Sequence, residues 1–282
     1  MFISNGPGSD LWVYDIDRTT KTRLTSGLAG RDAVWSPDGQ VIVFQAPGGM
    51  FWTRADGAGK PQALLASKTY TRPGSFSADG RLLAYAEPLH GGGGAIKILP
   101  VEIVAGQYRA GPPEVFLQSA ATSNLYPRFS YDGRWIAYND AESGTFEVHV
   151  RAFPNREAEW QISNSGGIFP VWSPDGRELF YRSPDNRIMV VDYKIRGNEF
   201  SADKPRLWSE RSLFNLGIAP TFDLAPSGQR FAVLMQFGGG QPRAVQNAIQ
   251  SHVTLMLNFL NEVRGRVPGG KLYSPPSRRA QS

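Results

Sequence analysis

The chain of 282 residues contains no cysteine, which removes disulfides and thiolate metal sites from consideration. It does not place the protein, because many extracytoplasmic proteins also lack cysteine. Histidine is scarce: His90, His149 and His252 lie in different stretches with no carboxylate pattern around them, so a metal site would need the fold to gather them, and each is expected to be structural or on the surface. No run of eighteen apolar residues occurs, and Met1-Phe2-Ile3-Ser4-Asn5-Gly6 lacks the charged and apolar regions of a signal peptide. As written, no segment of the sequence is expected to insert or export it. Catalytic signatures are missing too. There is no Gly-rich loop followed by a strand lysine, no His-Arg-Asp loop, no Asp-Phe-Gly and no Gly-x-Ser-x-Gly elbow. Asp15 with Asp17 lacks the glycine and glutamate that complete a calcium loop. Gly265 to Lys271 approaches a phosphate-binding loop, but Leu272 stands where Ser or Thr is required and Pro268 stiffens the loop. No cofactor and no metal are expected.

One-sided charge is confined to one end. Arg264, Arg266, Lys271, Arg278 and Arg279 follow Glu262 with no acidic residue among them, so the formal charge of +5 belongs to residues 263–282 and residues 1–262 are neutral on balance. The basic pI therefore says little about partners of a folded domain. Beyond Pro268 the Gly, Pro, Ser and Arg composition is too polar to offset the entropy of ordering. The expected division is one folded domain over residues 1–266 and a disordered basic tail over 267–282, dispensable for folding and capable only of weak, salt-sensitive attraction to anionic surfaces.

What the sequence has in abundance is one turn. It stands as Trp172-Ser173-Pro174-Asp175-Gly176-Arg177, and again as Trp35-Ser36-Pro37-Asp38-Gly39-Gln40, Phe76-Ser77-Ala78-Asp79-Gly80-Arg81, Phe129-Ser130-Tyr131-Asp132-Gly133-Arg134 and, more loosely, Leu224-Ala225-Pro226-Ser227-Gly228-Gln229. Serine and aspartate hydrogen-bond locally, proline presets φ, and glycine accepts the left-handed position that ends a type I turn with a bulge. Short runs such as Leu179-Phe180-Tyr181 flank it and suit strands buried on both faces. A repeat of about 40 to 50 residues built from short strands is the signature of a β-propeller. The turn aspartates Asp38, Asp79, Asp132 and Asp175 occupy one place in each unit, which marks them as structural rather than catalytic.

Three successive units share one strand order, shown best by Ala33–Trp35, Val41–Phe44, Met50–Arg54 and Gln62–Leu65. The third unit's extra length is expected in two loops, His90–Gly94 and Ala105–Pro113. The first unit begins inside a blade, with strands at Phe2–Ser4, Leu11–Ile16 and Thr22–Thr25. The last has Phe222–Leu224 and Phe231–Met235, then a glycine-rich loop to about Ser251. Val253–Phe259 fits both a strand and the start of a short helix. The expected fold is all-β: a six-bladed propeller of four-stranded antiparallel blades, the first incomplete at the N-terminus, with Trp12 and Tyr14 near segment 222–259.

With these repeats, the chain resembles TolB-like β-propellers with WD40-like repeats from Phe2 to about Arg266. Asp10-Leu11-Trp12-Val13-Tyr14-Asp15 with Arg23-Leu24-Thr25, Glu147-Val148-His149-Val150-Arg151-Ala152-Phe153-Pro154 with Trp160-Gln161-Ile162-Ser163, and Val253 to Pro268 are similar to the C-terminal propeller of bacterial transmembrane serine/threonine protein kinases. That resemblance implies a non-catalytic, extracytoplasmic or periplasmic domain for sensing or protein interaction in bacterial signalling. It transfers no catalytic residue.

A propeller's binding surface is commonly the face where the innermost strands begin. Counting three residues back from each turn aromatic, or from Leu224 in its place, gives Asp32, Pro73, Tyr126, Phe169 and Thr221, with Arg31 and Arg72 one step earlier. Arg31, Asp32, Arg72, Tyr126, Phe169 and Thr221 are thus the candidate binding residues. The mixture suits a protein or peptide partner, although the same residues could simply plug the channel. The expected state is a monomer that binds no specific nucleic acid, and not an enzyme. The alternative is a propeller hydrolase or the accessory domain of a peptidase, which a carboxylate-histidine cluster on one face would favour.

Overall fold

The computed structural model describes residues 2–3, 10–15, 18–122, 125–197, 199–217, 219–225, 228, 230–234 and 254–255. Every regular element among them is a strand, and all pairings are antiparallel. The first sheet is β1 (Phe2–Ile3), β2 (Leu11–Asp15) and β3 (Thr20–Arg23). The second is β4 (Arg31–Trp35), β5 (Val41–Ala46), β6 (Gly49–Arg54) and β7 (Gln62–Ala66). The third holds β8 (Arg72–Phe76), β9 (Leu82–Pro88), β10 (Gly94–Val104), β11 (Gln107–Ala110) and β12 (Glu114–Ser119). The fourth is β13 (Arg128–Phe129), β14 (Trp135–Asp140), β15 (Glu147–Ala152) and β16 (Glu159–Gln161). In the fifth stand β17 (Ile168–Trp172), β18 (Glu178–Arg182), β19 (Ile188–Arg196), β20 (Glu199–Ala202) and β21 (Arg206–Ser209). The described part of the sixth is β22 (Phe222–Leu224), β23 (Phe231–Val233) and β24 (Thr254–Leu255).

The repeated turn sets this architecture. Ser36, Ser77, Ser130 and Ser173 each donate Oγ–H to the aspartate two residues on, at 2.5, 2.6, 2.6 and 2.6 Å. The glycine amide closes the turn on the serine carbonyl at 2.9 to 3.1 Å, and Gly39, Gly80, Gly133, Gly176 and Gly228 stand at φ between 69 and 73°. At those angles a Cβ is strained, which is why glycine recurs. The bonds from serine and from the following backbone amide hold the carboxyls of Asp38 and Asp79 below the usual range. At Asp132, burial works the other way but is outweighed by the bonds from Ser130 and Arg134.

Apolar clusters fill the spaces between successive sheets. Val43, Met50 and Trp52 meet Leu83, Tyr85 and Leu99 across the second and third. Ala84, Ile96 and Ile98 meet Phe129, Ile136 and Tyr138 across the third and fourth. The second strands β5 and β14 are buried along their whole length, as runs without polar alternation require. Trp35 is 38% exposed, whereas its counterparts Phe76, Phe129 and Trp172 are buried. Among those counterparts, the Phe129 amide and the Trp172 indole are bonded to the innermost strand of the preceding sheet, at Ser75 Oγ and Arg128 O. No strand inside β1 is described for Trp35 to meet.

Two motifs from the sequence are explained by a lock between strands. Asp10 accepts from Thr25 Oγ1 at 3.0 Å, from the Gly27 amide at 2.8 Å and from Arg23, while Thr25 Oγ1 accepts the Leu11 amide at 2.9 Å. Glu147, Ser163, Gly166 and Val148 repeat that arrangement in the fourth sheet.

Several boundaries depart from expectation. The third strand lies at Thr20–Arg23, two residues earlier than Thr22–Thr25, with all four residues exposed. The third and fifth sheets have five strands rather than four. Ala105–Pro113 is not a loop: β10 continues to Val104, turns at Ala105-Gly106 and returns as β11, pairing Val101–Val104 with Ala110–Gln107. An equivalent hairpin pairs Tyr193–Arg196 with Ala202–Glu199. Each lies over the preceding sheet, Tyr108 at 5.2 Å from Trp52 and Phe200 at 5.4 Å from both Trp135 and Trp160. Within Val253–Phe259, Thr254–Leu255 pair with β23 as a strand. The glycine-rich loop and the tail over 267–282 lie outside the described residues.

Candidate functional site at the start of the innermost strands

The innermost strands depart from regular β geometry at the same place. In β4 the register slips between Arg31, opposite Gln45, and Val34, opposite Val43. β17 slips likewise between Ile168 and Val171, and ahead of β13 the Leu125 carbonyl accepts the Asn139 amide. The extra residue is left-handed in all three: Asp32 at φ 44°, Tyr126 at 43° and Phe169 at 59°. Aspartate tolerates this region, but for a tyrosine or phenylalanine it is an outlier. Each such residue costs on the order of 1–3 kcal/mol and persists only where its surroundings hold it. In β8 the corresponding residue is Pro73, whose ring forbids positive φ. There the slip moves on to Gly74, between Pro73 and Ser75.

These bulges turn side chains from neighbouring sheets toward one another. Asp32 accepts from Tyr70 Oη and from Arg72 Nε, the latter at 3.3 Å. The Arg72 guanidinium lies 4.5 Å from the Tyr126 ring centroid, and Tyr126 meets Phe169 edge to face at 4.6 Å. Arg182, from the end of β18, lies 4.8 Å from the far ring, Phe169. A continuous chain of Tyr70, Asp32, Arg72, Tyr126, Phe169 and Arg182 thus spans the second to fifth sheets. Burial pushes the Tyr126 phenol up to about 12 despite the opposing Arg72 charge. Burial also pulls Arg72 down, but Tyr126, Asp32 and Tyr70 outweigh it and raise its value.

Of the six candidates, the structure brings Asp32, Arg72, Tyr126 and Phe169 together. Arg31 is exposed, opposite Gln45 in register, and stands apart from the chain. Thr221 is buried, and its neighbour Phe222 packs with Tyr126 and Phe169. Tyr70 and Arg182 were missed, as was Asn139, whose Oδ1 accepts the Phe169 amide at 3.4 Å. The signal for Asn139 and Arg182 was a polar residue directly after an apolar strand run, as in Trp135-Ile136-Ala137-Tyr138-Asn139 and Leu179-Phe180-Tyr181-Arg182.

A second polar site lies between the third and fourth sheets. There His149 Nδ1 is 3.4 Å from Glu159 Oε1, Arg151 and Tyr138 Oη also meet Glu159, and the imidazole stacks on Tyr138 at 5.7 Å. Burial raises the Glu159 carboxyl, but the bonds from Tyr138 and Arg151 outweigh it and leave it below its usual value. These residues, with Asp140 and Phe116, line a cleft of about 330 Å³. The expectation that His149 has no carboxylate near it is therefore corrected: Glu159 lies ten residues on in sequence, but the register of β15 and β16 sets it opposite Arg151, a diagonal neighbour of the histidine on the same face. Among the described residues no group of three or more His, Cys, Asp or Glu is placed to hold a metal.

Solved structures of similar fold include TolB-like and other propellers. TolB from Acinetobacter baumannii superposes with a TM-score of 0.50 at 17% identity, over 84% of this chain and 63% of that one. An oligogalacturonate lyase in complex with manganese gives 0.56 at 11%, over 81% and 65%. The Pseudomonas aeruginosa periplasmic gluconolactonase PpgL gives 0.52 at 18%, over 82% and 72%. This chain has the TolB-like β-propeller fold. It spans less than two thirds of the length of TolB and of the lyase. No protein-family model matches it, and no curated protein does. The expectation that the chain is not an enzyme is overturned, because propellers of this fold include a lyase and a gluconolactonase. The missing kinase and serine-hydrolase motifs therefore do not exclude catalysis on this scaffold.

Proposed function

We propose that this chain is a binding propeller that takes a protein or peptide segment where its innermost strands begin, with the six sheets as blades of one ring and β1–β3 beside β22–β24. The role resembles that of the C-terminal propeller of bacterial transmembrane kinases, a sensing module outside the cytoplasm. The observation that carries the reading is the left-handed backbone at Asp32, Tyr126 and Phe169, which sets an aromatic pair between two arginines. Strain of this kind gathers at ligand clamps, and buried aromatics with arginine are the anchors of protein interfaces. Peptides selected from a displayed library against the folded chain should slow hydrogen exchange around Asp32, Arg72 and Tyr126. Tyr126→Ala, checked for folding, should weaken them tenfold or more, about 1.4 kcal/mol. Selected peptides that protect another face and bind Tyr126→Ala equally well would refute the reading.

A second reading is supported by the His149 cleft. Glu159 is placed to orient the imidazole from its Nδ1 side, which leaves Nε2 as a base for a hydrolytic or eliminative step. If a panel of lactones and uronate esters is turned over, His149→Gln should lower the rate at least a hundredfold with folding intact. Turnover indifferent to that change would remove His149 from the chemistry.

A further inference from the structure

Arg182 is the least compensated charge in the described structure. It is 5% exposed, and only its Nη2 meets an acceptor, the Gly217 carbonyl at 2.6 Å. Its Nε and Nη1 are buried without a hydrogen-bond partner, and among the described residues no acidic side chain pairs with it. Arg72, half-buried in the same cluster, has Asp32. Burial accordingly pulls the Arg182 value down, only partly offset by Tyr126. A guanidinium offers five N–H donors in a planar fork matched to a carboxylate, and a buried charge lacking its counterion is strongly unfavourable. Nothing in the packing of β18 requires an arginine: the same strand position in the fourth sheet is Asn139, and in the second it is Gln45.

We propose that Arg182 is a carboxylate-binding residue: a ligand at the channel mouth places a carboxylate on its fork, displacing the Gly217 carbonyl, with the Phe169 ring covering the guanidinium face. This deepens the binding reading above and rests on it for the location of the ligand. The carboxylate belongs either to a small organic acid or to a peptide, as its C-terminus or an acidic side chain.

The test compares the wild-type chain with Arg182→Met, which keeps length and apolar contact with Phe169 but removes the charge. Melting is followed in sodium succinate against sodium chloride at equal ionic strength, and with acetyl-Ala-Phe-Ala bearing either a free or an amidated C-terminus. Without ligand, Arg182→Met should melt several degrees higher than wild type, because an unpaired buried charge has been removed. Added carboxylate should raise the wild-type melting temperature by an amount that grows with concentration and leave Arg182→Met unmoved. A response to succinate alone assigns a small acid; one to the free but not the amidated peptide assigns a peptide carboxylate. Arg182→Gln serves the same comparison if the methionine variant does not fold. Equal carboxylate shifts in wild type and variant, or no shift in either, overturn the proposal. Tyr126→Ala separates the two ideas: if it abolishes peptide binding while the Arg182 response to succinate persists, the anion site stands alone, and if peptides bind through Tyr126 with Arg182 indifferent, only the broader reading survives.

Discussion

Gly74→Ala is expected to destabilise the chain by about 3 kcal/mol or more, at the upper end of overpacking substitutions, and to disturb the candidate site at the same time. An added Cβ would lie 2.3 Å from the Pro127 carbonyl oxygen, 2.8 Å from Pro127 Cγ and 3.0 Å from the Ala84 carbonyl oxygen. Two of these are backbone atoms, which cannot turn aside as a flexible side chain would. Pro127 directly follows Tyr126, so relieving the clash moves the ring that Arg72 covers. Both a lower urea midpoint and weaker peptide binding are therefore expected. Gly144→Ala is the control: unlike Gly74 it is left-handed, at φ 84°, and a Cβ there meets nothing within 4 Å, so it should lose only the ~1–2 kcal/mol of left-handed strain. Equal losses in the two variants would show that close approach between the third and fourth sheets is not the cause.

The turn, the repeat and most strands were legible because their causes are local. Serine, aspartate and glycine each make their bonds within five residues, so the phrase carries its own structure. The bulges were half legible. Counting back from the turn aromatic located Asp32, Tyr126 and Phe169, but left-handed backbone at two bulky aromatics follows from contacts across sheets, which a linear reading does not contain. The pairing of His149 with Glu159 was hidden for a related reason, since it depends on the register of two strands joined by an irregular loop. The hairpins of the third and fifth sheets were hidden differently. Their four-residue return strands carry one buried residue each, Tyr108 and Phe200, too few for alternation to register as a pattern.

Phe200→Ala is the second large effect, with an expected loss of about 3–5 kcal/mol, the usual range for emptying a buried phenylalanine site. Its neighbours in β20, Glu199, Ser201 and Ala202, are exposed, so the ring alone docks that strand. It contacts Trp135, Trp160 and Tyr193 at 5.2 to 5.4 Å between centroids and Trp172 at 6.2 Å. Besides the ring, the Arg134 bond to the Gly197 carbonyl at 2.8 Å and the packing of Ile195 hold the hairpin against the fourth sheet. Without the ring, Trp135 and Trp160 should become accessible, seen as a red shift and stronger iodide quenching of tryptophan emission together with a lower urea midpoint. A loss below about 1 kcal/mol with unchanged emission would show that the hairpin does not act as a cover. In a repeat architecture each unit is stabilised mainly by its neighbours, so a hairpin reaching back from the fifth sheet adds to the interface that makes the fourth and fifth unfold together. The slope of the urea transition should therefore fall along with its midpoint. Tyr108→Ala removes the corresponding residue over Trp52, where one ring contact is made, and should cost less.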